Sequence, residues 1–242
     1  MMTEINPLIV IPHYNHSTTI REVITKLVVF NLPILIVDDG SAKEQKQVLQ
    51  TLVGMNNVSL LFRPENGGKG AAVKAGLQWA FERGFTHVIQ VDADGQHNLI
   101  DIQIMLEKSR QNSTALICGK PIYGKDAPKS RLYGRKITNF WIALNTLSLD
   151  IDDGMCGFRL YPLIMVMPIL MQERLGDRMD FDIEILVYCR WRKIPMIWVD
   201  TQVKYNEKGI SHFRSWADNW LISKMHARLF WGMIKRLLTG KF

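Results

Sequence analysis

Two carboxylates one residue apart, Asp92 and Asp94, close an apolar run in the stretch "HVIQVDADGQH". Unpaired acids at the end of a buried segment repel and lose solvation, so their placement serves chemistry rather than stability. On extended backbone, residues two apart point the same way. Hard carboxylate oxygens presented together suit Mg²⁺ or Mn²⁺, with substrate phosphates and water completing the coordination. Such an ion is a Lewis acid able to neutralise charge on a departing diphosphate. The plain alternative is a surface turn, because this spacing also arises by chance. Asp38 and Asp39 end a second apolar run, "PILIVDDGS". There Asp39 is suited to accept from a ribose hydroxyl or a base N–H, or else to cap the next helix.

The stretch "ENGGKGAAVKAG" invites a phosphate-loop reading that fails. Lys69 is followed by Gly70 rather than Ser or Thr, and Arg63 stands where the first glycine belongs. No GxGxxG follows the first apolar run, which argues against a dinucleotide-dependent oxidoreductase. What remains is a turn opening a helix, whose N–H groups can face a sugar or phosphate with Lys69 beside them.

The elements that must position these residues follow from periodicity. "PLIVIPHYN", "PILIVDDGS", "VSLLFRP" and "THVIQVDAD" read as buried strands; "TTIREVITKLVVF", "KEQKQVLQTLV" and "GAAVKAGLQWAFERG" read as helices between them. Short apolar strands alternating with helices predict a mostly parallel sheet covered on both faces. Ligands of such sheets collect at the carboxyl ends of strands. His13-Tyr14-Asn15, Asp38-Asp39 and Asp92-Ala93-Asp94 all fall there. Farther on, "IDIQIMLEKSRQ" predicts a helix, "ALICGKP" a strand, "YGKDAPKSRLYGRK" a basic loop, and "ITNFWIALNTLSL" another helix. "PMIWVDTQVKY" reads as a last strand.

The 242 residues, 47% hydrophobic and 22% charged, suit one globular domain, or a domain with an appendage. Cys118, Cys156 and Cys189 are too few and too scattered for a disulfide framework or zinc site, which points to reduced thiols in the cytoplasm. The first residues lack the basic n-region of a signal peptide, and no apolar run is long enough for a spanning helix. The net charge of +7 is concentrated at the end. From His212 onward six Lys and Arg stand against Asp218 alone, a balance suited to an anionic surface. The same stretch is loaded with Trp, Leu and Met, which disfavours a nucleic-acid partner. It predicts amphipathic helices that either pack on the main domain or lie in a lipid interface. Two parts are therefore expected, a catalytic domain over residues 1–211 and a basic helical appendage over 212–242.

The blocks "VIPHYNH", "IVDDGSA", "NGGKGAAVKAG", "VDADGQH", "CGFRLY", "FDIEIL" and "GISHFR" resemble, in order and spacing, those of family 2 glycosyltransferases. The likeness is closer to the branch containing polyprenyl-phosphate sugar synthases and extends to about Arg214. It implies an α/β GT-A fold with flanking helices, a nucleotide-sugar donor, a Mg²⁺ or Mn²⁺ cofactor and inverting transfer. By that resemblance Pro12, Tyr14, Asn15 and Asp39 hold the nucleoside, and Asp92, Gln96 and Lys69 serve the donor. Asp94 is the implied metal ligand, and His97 completes the family's DADGQH form.

Two positions depart from the family pattern. His16 replaces the usual acid after the Asn of PxYN, and Cys118-Gly119-Lys120 replaces Gly-Ser-Arg. Lys120 offers a point charge where Arg would clamp a phosphate bidentately, so Arg131 and Arg135 are candidates to make up the difference. "DDGMCGFR" is similar to the family's DTQCGFR block and makes Asp153 the candidate base or acceptor-orienting group. A helix cap is the alternative. Asp182 and Glu184, placed on one face, are weaker competitors. Arg159 and Arg214 are further phosphate or acceptor candidates.

The expected protein is a metal-dependent inverting glycosyltransferase with a lipidic acceptor, peripheral on the inner face of the cell membrane. "PHYNH", "MDFDIEI" and the Ser211–Leu229 stretch resemble enzymes of bacterial aryl-polyene gene sets, implying an aryl-polyene lipid as acceptor. A polyprenyl-phosphate sugar synthase is the second expectation. A silent, membrane-bound nucleotide-sugar sensor is the third.

Overall fold

A computed structural model describes residues 4–55, 57–124, 128–203 and 215–240. Seven strands form one sheet: β1 (Pro7–His13), β2 (Ile34–Asp39), β3 (Val58–Arg63), β4 (His87–Gln90), β5 (Leu116–Tyr123), β6 (Arg159–Pro162) and β7 (Met196–Val203). Their order across the sheet is β3-β2-β1-β4-β6-β5-β7. β6 runs antiparallel to both neighbours, while the other pairings are parallel. The parallel half was legible in the apolar runs. The four-residue β6 was not, because "RLYP" is too short and too mixed to announce a strand.

The eight α-helices among the described residues are α1 (Ser17–Leu27), α2 (Lys43–Gln50), α3 (Lys69–Glu82), α4 (Asp101–Gln111), α5 (Lys129–Thr146), α6 (Leu163–Gln172), α7 (Asp180–Trp191) and α8 (Ser215–Leu238). The expected basic loop is partly wrong: from Lys129 onward its residues are the first turns of α5. Pro128 at the N-cap starts the helix with a fixed φ, and the helix formers after it carry on into the apolar stretch.

Strand alternation divides the core into two layers. Leu8 and Val10 of β1, with Leu35 and Val37 of β2, face α3, α6, α7 and α8. Ile9, Ile11, Ile34 and Ile36 face the opposite way, against α1 and α4. The first layer also takes in α8, the packing alternative of the two expected for the basic tail. Ile222, Met225, Leu229 and Met233 of α8 are buried in it, and α8 packs on α5 and α7. The apolar arc read from the sequence is thus spent on protein packing. The expected boundary itself, at 211 and 212, lies outside the described residues, as does Arg214.

Candidate active site

Three parallel strands deliver their last residues to one edge, and the loops there are cross-linked. The His13 ring stacks its two nitrogens between loops: Nε2 accepts from the His16 N–H at 3.2 Å, and Nδ1 faces Asp38 Oδ1 at 3.1 Å. The amide at Nε2 makes Nδ1 the protonated nitrogen. Asp38 Oδ2 accepts from the Ser41 N–H, and Ser41 Oγ accepts from the Asn15 N–H. Asn15 Oδ1 in turn accepts from the Ala42 N–H at the start of α2. Of the nucleoside candidates, Pro12 and Tyr14 are half-buried at this edge, whereas the Asn15 side chain is engaged by the Ala42 N–H just before α2.

Asp39 holds the next loop. Its carboxylate accepts from the Gly67 and Gly68 N–H groups at 3.1 and 2.7 Å and pairs with Arg63 from the end of β3. Gly68 has φ of +109°, and a Cβ there would meet Asp177 O at 2.6 Å, so only glycine fits. The reason for the "GGKG" run is this turn, which starts α3 and aims Lys69 across the edge.

Lys69 is the centre of the site. Its ammonium lies 2.8 and 2.9 Å from the two Asp92 oxygens and 3.0 Å from Asp182 Oδ2. Burial disfavours the Lys69 charge, but Asp182 and Asp92 hold its pKa well above the ordinary lysine range. Burial likewise opposes ionisation of Asp92, yet Lys69 and His97 keep its carboxyl far below the usual carboxylate range. His97 Nε2 is 3.4 Å from Asp92, and its ring stacks on Phe158 at 5.0 Å between centroids. Gly157 lies against the cluster; a Cβ on it would stand 2.6 Å from both Lys69 Nζ and Gln90 Nε2.

Asp94 is the group left over. Burial, and then the neighbouring Asp92 charge, push its pKa up. It accepts the Gln96 N–H at 3.0 Å and has no ion pair among the described residues. The β4 ladder ends at Gln90, so both acids lie in the turn beyond rather than on the strand. No three His, Cys, Asp or Glu side chains among the described residues group as a metal cage. A hard ion completed by substrate phosphates needs only one or two carboxylates. Asp94, with Asp92 beside it, fits that requirement.

The acceptor candidates divide. Asp153 is buried in a turn, where Arg135 donates to both its oxygens at 2.6 Å. The Met155 and Cys156 N–H groups donate to Oδ1 at 2.9 and 2.7 Å. Arg135 also lies over the Tyr123 ring. Arg159 is fully buried and donates to the Asp182 and Gly154 carbonyls at 2.6 and 3.0 Å, so its guanidinium is committed inside the fold. Lys120 is not brought to the cluster, being half-exposed and paired with Asp152 at 2.9 Å. Arg131 is on α5, with its side chain outside the description.

Asp182 and Glu184 do not share a face. On a helix, residues two apart lie about 200° apart. Asp182 accordingly turns to Lys69 and Gln90, and Glu184 to Arg228 of α8 at 2.5 Å. The Tyr161 hydroxyl donates to Gln90 Oε1 at 3.0 Å and fixes the amide. Gln90 was unremarked in the sequence, although a polar residue inside the buried run "HVIQ" was a usable signal.

The family model for glycosyl transferase family 2 matches residues 8–163. This chain belongs to that family. As a family 2 glycosyltransferase it is 31% identical, over 74% of its length and 55% of the other protein, to a dolichyl-phosphate beta-glucosyltransferase of Trichomonas vaginalis. It is 25% identical to a UDP-N-acetylglucosamine–dolichyl-phosphate N-acetylglucosaminyltransferase of Methanococcus voltae, covering 84% of this chain and 87% of that one. It is 27% identical to a polyprenol monophosphomannose synthase of Mycolicibacterium smegmatis, over 64% and 60% of the two chains. The glycosyltransferase spans about half the length of the first curated relatives it matches. Among solved structures, glucosyl-3-phosphoglycerate synthase of Mycobacterium tuberculosis in complex with Mn²⁺, UDP and glucosyl-3-phosphoglycerate superposes with a TM-score of 0.70. That match covers 95% of this chain and 80% of that one at 14% identity. The fold is GT-A. No helix among the described residues is long and apolar enough to cross a membrane.

Proposed function

We propose that this enzyme transfers a sugar, with inversion, from a nucleotide-sugar to the phosphate of a membrane-borne polyprenyl-type lipid. The observation that carries the reading is the under-compensated Asp94 beside the Lys69-clamped Asp92, at the carboxyl edge of three parallel strands. Bound there, Mg²⁺ or Mn²⁺ would neutralise charge on the leaving nucleoside diphosphate. Asp94 is the ligand, with Asp92 oriented by Lys69 and His97. Pro12 and Tyr14 line the nucleoside end, while Asp39 and Asn15 hold the two loops that enclose it. The names of the relatives support a lipid-phosphate acceptor.

A phosphate oxygen is already ionised and attacks the sugar's anomeric carbon without a base. That suits Asp153, whose oxygens are committed to Arg135 and two amides. Its role is to hold the Arg135 guanidinium toward the acceptor phosphate. A hydroxyl acceptor, such as an aryl-polyene lipid, would need a base, and both oxygens of Asp182 are committed, to Lys69 and Gln90, as those of Asp153 are to Arg135. We place the enzyme at the inner face of the membrane, bound peripherally.

The test pairs a panel of nucleotide-sugars with Mn²⁺ and two acceptors, a polyprenyl phosphate and its free alcohol. Sugar transfer to the phosphate alone is expected. Transfer to the alcohol at a similar rate would overturn the phosphate reading, and metal-independent transfer would overturn the role of Asp94.

A further inference from the structure

A second cluster of charge lies beside this site and shares Gly67 with it. The loop between α6 and α7 folds over the start of α3, where the Ala71 N–H donates to Asp177 O at 2.8 Å. Between that loop and α8 is a cleft of about 340 Å³, with Arg174, Arg178 and Arg228 on its walls and Leu221 at its side. Two acids, Asp177 and Asp180, share the lining. Asp177 pairs with Lys74 at 2.7 Å. Asp180, buried beneath Gly176, accepts the Arg178 N–H at 3.0 Å. Glu184, behind the cleft, takes Arg228 and the Gly176 N–H.

The guanidinium groups of Arg174 and Arg178 make no ion pair or hydrogen bond among the described residues. Arg228 answers Glu184, but Arg174 and Arg178 line the cleft with their guanidinium groups uncommitted, which favours an anion there. Planar forks at the mouth of a cleft match the oxygens of a phosphate.

The neighbouring face of α8 says where that phosphate comes from. At roughly 100° per residue, Leu221 and Arg228 are within about 20° of each other, and Lys224 is about 40° farther round. Trp220 and Trp231 follow on the same side, 62% and 69% exposed. Lys224 lies over the Trp220 ring at 5.0 Å. Exposed tryptophans with lysines suit the headgroup zone of a bilayer, where the ring is half-wetted and the ammonium meets lipid phosphate. This is the face opposite the buried Met225 and Leu229. Cleft and ridge are therefore continuous on one surface.

We propose that the Arg174–Arg178–Arg228 cleft binds the phosphate of an anionic phospholipid, with the Trp220–Lys224–Trp231 ridge of α8 bedded in the headgroups beside it. The site does not depend on which acceptor the enzyme glycosylates. The charge-removing variant Arg174→Gln/Arg178→Gln keeps the aliphatic stems, including the Arg178 carbons packed against Gly68.

Wild type and variant are sedimented with phosphatidylcholine vesicles, with and without phosphatidylglycerol, and melted with and without inorganic phosphate. Wild type should favour the anionic vesicles, and the variant should bind them on the order of 10-fold more weakly. Equal binding of both proteins to the anionic vesicles overturns the proposal. A phosphate-induced rise in Tm that depends on the arginines, with no difference on vesicles, overturns the lipid assignment and makes the cleft a soluble-phosphate site. Transfer to a short-chain lipid phosphate in detergent, measured on the same variant, separates this outcome from failure of the glycosyl-transfer reading. It should be unchanged.

Discussion

Replacing Lys69 by Met keeps the length of the side chain and removes the ammonium that Asp92 and Asp182 share. Each contact of about 3 Å is worth roughly 5 kcal/mol of Coulomb attraction at an effective dielectric of ~20, and desolvation offsets most of it. Removing one partner is another matter, because buried carboxylates are left facing each other. The expected loss is about 3–5 kcal/mol of folding stability at neutral pH. For a domain of this size that lowers Tm by roughly 6–20 °C. The sign with pH follows from the depressed Asp92 pKa. In the wild type, the Lys69 contribution is present above the unfolded carboxylate value near ~3.9 and is lost as pH falls through the folded one. In Lys69→Met the carboxylates instead take up a proton more readily than in the unfolded chain. The gap between the proteins is therefore widest above about pH 5 and narrows below about pH 4. Urea melts across that range measure it. The double variant Lys69→Met/Asp182→Asn should recover part of the loss, as one of the two acids is gone. A gap below ~1 kcal/mol, or one that ignores pH, would refute the clamp.

Asp94→Asn should abolish most turnover and the Mn²⁺ dependence of nucleoside diphosphate binding, read by calorimetry with and without the ion; retained metal dependence would remove Asp94 as ligand. Asp153→Asn should raise the KM for the lipid phosphate more than it lowers kcat, because Arg135 loses its anchor, and the pH profile of kcat should not move. A loss of about 10²-fold in kcat with a displaced profile would make Asp153 a base instead. His226 is buried on α8, takes the Asn145 amide on Nδ1, and has its pKa pushed down to about 4 by burial. The unfolded chain therefore binds this proton first, and stability falls as pH drops from about 6.5 toward 4, by up to ~3 kcal/mol. In His226→Gln that part of the pH slope should vanish from the melts; an unchanged slope would show that His226 is not its source.

Much of the site was written locally. The buried runs of β1, β2 and β4, each ending in polar residues, fixed a parallel sheet with chemistry at its carboxyl edge, because pleat and burial are properties of a few consecutive residues. The glycines of "NGGKG" announced a turn for the same reason. Partnership was not local. Asp39 reads as a nucleoside ligand or a cap, and only the fold brings Arg63 and the Gly67–Gly68 turn onto its carboxylate. Arg159 reads as a phosphate or acceptor candidate, and β6, threaded between β4 and β5, buries it completely. Asp182 and Glu184 look equivalent until the helical period turns one toward Lys69 and the other toward α8. The α8 stripe has the same ambiguity: amphipathic sequence demands a covered apolar face but does not say by what. Packing against α5 and α7 decided it, since the first layer of the sheet core had an open side that Met225, Leu229 and Met233 fill. Charge, burial and period belong to single segments, whereas the partner of a buried charge is set by whichever distant segment the chain brings there.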